Sequence, residues 1–191
     1  MLERKPIEIN HPLIKERMDA AGLVINKGWD PALASGLVIH SLEPDIVRAT
    51  PRDATERFSD ISTAMEWNNN PEKARIVYSL FRAAELAGVI WFSKQSFEGA
   101  DKTFAIRMYE SARGMGFAKP FAQAVHYDHE VVSGYDGDTW LETGKENISA
   151  RQLFPQLQYE EVESVDLLEH RIRMIRQGIA SSMIHRTLRP H

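Results

Sequence analysis

The chain contains no cysteine, so disulfides, thiolate nucleophiles and cysteine-ligated zinc are all excluded. No apolar run approaches the roughly 20 residues that a membrane-spanning helix needs. The opening stretch, Met1 to Asn10, mixes charges with one proline and lacks the apolar core of a secretory signal. No internal repeat or low-complexity tract is present. Nor is there an excess of basic charge: 23 lysines and arginines stand against 27 acids, a formal net charge of −4. Nothing global therefore draws the chain to nucleic acid or to an anionic membrane, and any polyanion contact has to be local. These absences predict a cytoplasmic protein with neither nucleic-acid nor membrane partners.

What is present is ordinary globular material. A chain of 191 residues, 43% hydrophobic and 26% charged, suits one domain with a real core. Residues 1–45 are the least patterned and read as an N-terminal extension packed on the same domain. His11 to Ala21 has helical spacing, with Leu13, Ile14, Met18 and Ala21 on one side. Leu37-Val38-Ile39 and Ile46-Val47 read as strand pieces on either side of Pro44. Thr50-Pro51-Arg52-Asp53 has the chemistry of a helix start: a hydroxyl cap, a proline at the first position and an acid at the third. Ala54, Phe58, Ile61 and Met65 continue it as one apolar stripe, and Asn68-Asn69-Asn70-Pro71 ends it.

Arg75 to Phe81 and Leu86 to Phe92 read as two strands joined by a link short enough for an antiparallel hairpin. A polar segment, Ser96 to Lys102, leads to a strand over 103–109. A second helical stripe, Phe117, Phe121, Ala124 and Val125, follows; Pro120 is tolerated because it falls in the first turn. Ser133 to Asp138 is a turn, Thr139 to Thr143 a strand, and Ser149 to Leu157 a short helix. Tyr159 to Val165 and Arg171 to Arg176 suit a closing hairpin. The tail from Gly178 suits packing on the domain or on a second subunit, as in a homodimer. Strands 103–109 and 139–143, connected through a helix, need a crossover and are expected to be parallel neighbours.

The chemistry concentrates in Arg113-Gly114-Met115-Gly116-Phe117-Ala118, at the turn from strand to helix. Small residues there let the backbone approach a ligand and leave amides unpaired at the positive end of the helix dipole, a site for phosphate oxygens. Arg113 can add a charge-assisted contact to the same anion. Other candidates have blander alternatives. His126-Tyr127-Asp128-His129 places two imidazoles one turn apart, but without a third ligand at recognisable spacing it reads as a solvated helix end, and no metal is expected. Arg107 and Glu142 suit a cross-sheet ion pair. Asp101, Glu110 and Glu142 are the carboxylates best placed to act as a base. The four tryptophans read as packing rather than a cage.

The order of elements, with Arg113, Gly116 and Ala118 at the crossover, resembles the GNAT superfamily of N-acetyltransferases. Its signature is Gln or Arg, two residues, Gly, one residue, then Gly or Ala. Trp140 to Asn147 followed by Ala150, Leu153-Phe154 and Tyr159 is similar to the family's late strand, asparagine and helix. Ile46 to Ala54 is similar to its opening strand and helix. The likeness covers roughly 45–176, and the domain it implies spans 46–191.

The resemblance implies an α/β fold of the mixed (α+β) kind: a mostly antiparallel central sheet with one splayed parallel pair and helices on both faces. Acetyl-CoA, the co-substrate, would lie where that pair splays. Its pyrophosphate would sit on the amides from Gly114 through Met115, Gly116, Phe117 and Ala118 to Lys119. The backbone of Ile106, Arg107 and Met108 would pair with the pantetheine arm, and an N–H there, Met108 being the candidate, would polarise the thioester. Asn147 would bond the pantetheine or cap the last helix. An acceptor amine would attack the thioester directly; in this fold loops and the first helical region choose it, and residues 1–45 and 60–75 are where this chain is least typical. The family commonly protonates the leaving thiolate with a tyrosine. Here that position, lining the coenzyme, is Phe154, followed by Pro155, and Gln158 replaces a frequent glycine. Tyr109 or Tyr159 then supplies the acid, or the thiolate leaves unaided, or the chain is a CoA-binding regulatory module with little transfer.

Overall fold

The protein is described by a computed structural model covering residues 3–49, 58–163 and 170–178. A two-residue strand, β1 (Lys5–Pro6), precedes α1 (Pro12–Ala20), where the expected helix lies, with Pro12 in its first turn and Met18 buried. β2 (Leu23–Lys27) leads into α2 (Pro31–His40). Asp30 caps α2 by accepting from the Leu33 amide at 2.8 Å, and Pro31 supplies the first helical position. Leu37-Val38-Ile39 is thus helical, not a strand piece. The same holds for Ile46-Val47, in α3 (Pro44–Ala49). Short apolar runs carry no period of their own, and here the proline-led helix starts decide.

The start at Thr50 to Asp53, and Ala54 after it, lie outside the described residues. A separate helix, α4 (Ile61–Asn69), begins behind a reciprocal cap: the Asp60 carboxylate accepts from the Thr63 amide at 2.9 Å, and the Thr63 hydroxyl accepts from the Asp60 amide at 3.3 Å. The Thr63 amide, with the Ser59 hydroxyl next, holds the Asp60 carboxyl below its usual range. The stripe α4 buries is Ala64 and Trp67, while Ile61 is exposed.

β3 (Ile76–Arg82) and β4 (Glu85–Phe97) are linked by Ala83-Ala84. The polar segment Ser96 to Lys102 ends β4 and opens β5. Glu98 and Gly99, at φ 47° and 89°, make a two-residue turn directly into β5 (Ala100–Met108). α5 (Ala118–Tyr127) continues as a π-helical turn over Asp128–Val132, and β6 (Thr139–Gly144) follows. The last helix, α6 (Ile148–Leu153), tightens into a 3₁₀ turn over Phe154–Leu157, where Pro155 is accommodated. Gln158, at φ 67°, takes the left-handed closing position that a glycine would otherwise fill. β7 (Glu160–Val162) and β8 (Arg171–Arg176) form the expected hairpin; Ser164 and Val165 lie outside the described residues, as does the tail beyond Gly178.

The eight strands among the described residues form one sheet in the order β1-β2-β3-β4-β5-β6-β8-β7. It is mostly antiparallel, with β5 and β6 parallel, as the crossover predicts. The β5–β6 ladder registers only Lys102 with Thr139 and Thr103 with Trp140, although β5 runs on to Met108. No helix among the described residues is long and apolar enough to cross a membrane.

The chain divides into two compact units, 1–91 with 106–117 and 92–105 with 118–191. The first is built on an aromatic cluster: Trp67 contacts Trp29, Phe58 and Trp91 at centroid distances of 6.0, 5.3 and 5.5 Å. These tryptophans are core packing. The second packs Phe92, Phe104, Phe121, Phe154 and Tyr159 around a buried polar inset of His126, Glu130 and Thr139.

Candidate functional site

In the first unit, the strand-to-helix segment is held at its start by the sheet. The Tyr109 amide donates to the Ala87 carbonyl at 3.0 Å, so the chain follows β4 one residue beyond β5. It then coils: the amides of Ala112 and Arg113 donate to the Tyr109 carbonyl at 3.0 and 2.9 Å. Gly114 and Gly116 lie at φ 76° and 74°, where a side chain is strained, so the two glycines of the motif are required by backbone shape. No described backbone carbonyl accepts from the amides of Gly114, Gly116 or Phe117. Ala118 and Lys119, the first residues of the second unit's later stretch, open α5, so their N–H groups have no partner within the helix. Gly88 lets the end of β5 come close: a β-carbon there would stand 3.0 Å from the Arg107 carbonyl and from Met108 Sδ. Ile106, Arg107 and Met108 are half-buried, and the Arg107 guanidinium stands over Trp91 at 5.3 Å.

Arg113 turns away from the loop. Its Nη2 bonds Glu43 Oε2 at 2.9 Å, its Nη1 pairs with Asp45, and Nε and Nη2 reach the Met108 carbonyl at 3.3 and 3.1 Å. Glu43, on the α2–α3 link, also accepts from the Glu110 amide at 3.4 Å and lies 2.6 Å from His40 Nδ1. The His40 ring stacks on Tyr109 at 4.1 Å and 10°. Tyr109 is 1% exposed, and burial pushes its hydroxyl far above the usual phenol range against the opposing pull of Arg107. Sequence reasoning did not find His40, Glu43 or Asp45, nor Arg17, whose guanidinium reaches the loop from α1. Only folding joins them to the motif.

In the second unit, both oxygens of Glu142 are occupied. Arg171 Nε meets Oε1 at 2.6 Å and Arg173 Nε meets Oε2 at 3.1 Å, both across the β6–β8 ladder. The ion pairs of Glu142 are thus with β8 rather than with Arg107. Asn147 caps α6, its Oδ1 accepting from the Ala150 amide at 3.2 Å. Phe154 is buried against Phe104 and Tyr159 at 6.3 and 5.9 Å. Tyr159 is 1% exposed, bonded to the Thr139 hydroxyl at 3.0 Å, and burial raises its phenol strongly. Asp101 accepts from the Tyr135 hydroxyl, while Glu110, in the first unit, is exposed.

The two histidines are not a solvated helix end. His126 and His129 are 4% and 1% exposed, stacked on Phe104 at 4.8 Å and on Phe92 at 3.9 Å respectively. Burial first, then Arg176 and His129, hold His126 well below the usual imidazole range. Glu130 Oε1 lies 3.2 Å from His126 Nδ1, but Arg176 pairs with that same oxygen and offsets its charge. Burial also brings Arg176 down to about 10. Among the described residues no group of three side chains could hold a metal ion.

No protein-family model and no curated protein matches the chain. Solved structures do match. RimL, a ribosomal L7/L12 alpha-N-protein acetyltransferase in complex with coenzyme A, aligns at a TM-score of 0.66 and 15% identity, over 92% of this chain and 99% of its own. Spermidine N-acetyltransferase from Vibrio cholerae, in complex with CoA and spermine, aligns at 0.62 and 15% identity, over 85% and 98%. An uncharacterized protein from Bacillus halodurans aligns at 0.62 and 10% identity, over 81% and 84%. Identities this low speak to architecture alone. The strand order, the parallel β5–β6 pair and these alignments together give the chain the fold of the GNAT N-acetyltransferases.

Proposed function

We propose that the protein is an acyl-CoA-dependent N-acyltransferase that moves an acetyl group from acetyl-CoA to an amine. The observation that carries this reading is the loop left-handed at Gly114 and Gly116, between β5 and α5, where no described backbone carbonyl accepts from the amides of Gly114, Gly116 and Phe117. Unpaired amides in such a turn, leading into a helix start, suit phosphate oxygens. The pyrophosphate of the coenzyme would lie on Gly114 to Lys119 and the pantetheine arm along Ile106, Arg107 and Met108.

The neutral amine attacks the thioester carbonyl, forming the N–C bond and an oxyanion that the Met108 N–H stabilises. Collapse breaks the C–S bond and expels the coenzyme thiolate, while the amine gives its proton to solvent or to a base. Among the candidate acids, Tyr109 and Tyr159 are both enclosed, with hydroxyls that burial keeps protonated. Departure of the thiolate unaided is therefore the branch we adopt, since a thiol ionises near pH 8.5 and is a competent leaving group. Glu142, held by two arginines, then positions β6 against β8.

Calorimetry with acetyl-CoA and with CoA tests the reading. Binding of both is expected; no heat at near-millimolar ligand would sink it. Gly116→Glu places a side chain and a negative charge in the loop at a positive φ. It should weaken binding at least about 100-fold, or about 2.7 kcal/mol, with circular dichroism confirming the fold. The buried, hydroxyl-free Phe154 favours a second reading, a coenzyme-binding module without transfer. Thiol release across an amine panel, with hydrolysis subtracted, separates the two.

A further inference from the structure

The arginine inside the loop motif is already spent. Arg113 uses Nε, Nη1 and Nη2 on the Met108 carbonyl, Asp45 and Glu43. A guanidinium committed to two carboxylates and a carbonyl has little left to offer a phosphate.

A second guanidinium reaches the loop from α1. Arg17 Nη2 lies 3.4 Å from the Met115 carbonyl, and the guanidinium stands over the Phe117 ring at 5.4 Å. A β-carbon on Gly116 would meet Nη2 at 2.8 Å. Arg17 therefore overhangs three consecutive loop residues, and the absence of a side chain at Gly116 makes room for it. No carboxylate among the described residues pairs with it, unlike Lys15 on the same helix, which pairs with Asp19. A guanidinium has five N–H donors in a planar fork, and the contact to Met115 leaves most of them for an anion.

We infer that Arg17 is the cation that holds the coenzyme's phosphates at this loop, and that Arg113 is a positioning residue tying the loop to the α2–α3 link. This rests on the coenzyme reading above and adds to it a residue that the loop motif does not contain.

Titration calorimetry with CoA and with pantetheine, which shares the arm but lacks the phosphates, tests the assignment on wild type, Arg17→Gln and Arg17→Lys. Arg17→Gln should weaken CoA by about 10- to 100-fold, the loss of one charge-assisted contact to a phosphate, and leave pantetheine unchanged. Its CoA affinity should also depend less steeply on salt than that of wild type, with Arg17→Lys in between. CoA affinity in Arg17→Gln within about twofold of wild type would overturn the inference while leaving the coenzyme reading intact. Equal losses for CoA and pantetheine would mean that Arg17 acts through the fold, which also overturns it. A wild-type protein that binds no CoA would instead bring down the coenzyme reading, and this inference with it.

Discussion

At the scale of single residues, the fold reassigns what side chains are for. Arg113 is a candidate phosphate contact in the sequence and the hub of a two-carboxylate clamp in the structure. Gln158 departs from an expected glycine, yet it adopts the same left-handed turn, so the departure leaves the backbone path intact. His126 is the residue with a pH consequence. Burial holds its folded-state pKa well below the value near 6.5 expected in an unfolded chain. Between those two values the unfolded chain carries a proton that the folded one lacks, so stability rises with pH there and falls as pH drops below about 6.5. The loss can reach about 1.4 kcal/mol per pH unit for one proton. Urea melts at pH 5.5 and 7.5 should differ more for wild type than for His126→Phe, which places an apolar ring among Phe92, Phe104 and Tyr159. An unaltered pH slope in the variant would refute the assignment.

At the scale of elements, helix starts are the best-written signals in the chain. Asp30-Pro31, Pro44 and the Asp60–Thr63 reciprocal cap each set a helix whose interior is ambiguous. Leu37 to Ile39 and Ile46-Val47 contain β-branched residues, and residue type alone points them toward strands. The caps and the burial of Leu33, Ala34 and Leu37 override that preference. Asn147 belongs at this scale too. Its side chain accepts from the Ala150 amide, so Asn147→Ala should cost about 1 kcal/mol. That corresponds to a fall of about 2–4 °C in melting temperature for a chain of this size. A melting temperature equal to wild type would refute the capping role. An accompanying loss of CoA affinity would assign the side chain to the pantetheine as well.

At the scale of the whole molecule, the sheet carries the functional argument. Its strands bring the end of β5 beside β4, where Gly88 admits Met108, and deliver the chain into the glycine loop. A ligand that binds only the folded state stabilises all of it. Acetyl-CoA at about 100 times its dissociation constant should add about 2.7 kcal/mol, raising the melting temperature by about 5–10 °C. Thermal-shift measurement on wild type and Gly116→Glu checks this. A full shift in the variant would show that the coenzyme is held elsewhere.

The sequence by itself determined the hairpin strands around Val77 and Val89, the parallel crossover, the closing hairpin and the glycine loop with its helix. Each is written in residues a few positions apart, through period, turn chemistry and caps, and such signals survive in any context the chain adopts. Only the tertiary structure decided that Tyr109, Tyr159 and His126 are enclosed, and which charges meet. Arg17 and the Met115 carbonyl are 98 positions apart, and Arg113 and Asp45 are 68 apart. Nothing local encodes such pairs. They exist because helices and strands that bury their apolar faces leave few positions where a charged side chain can find a partner.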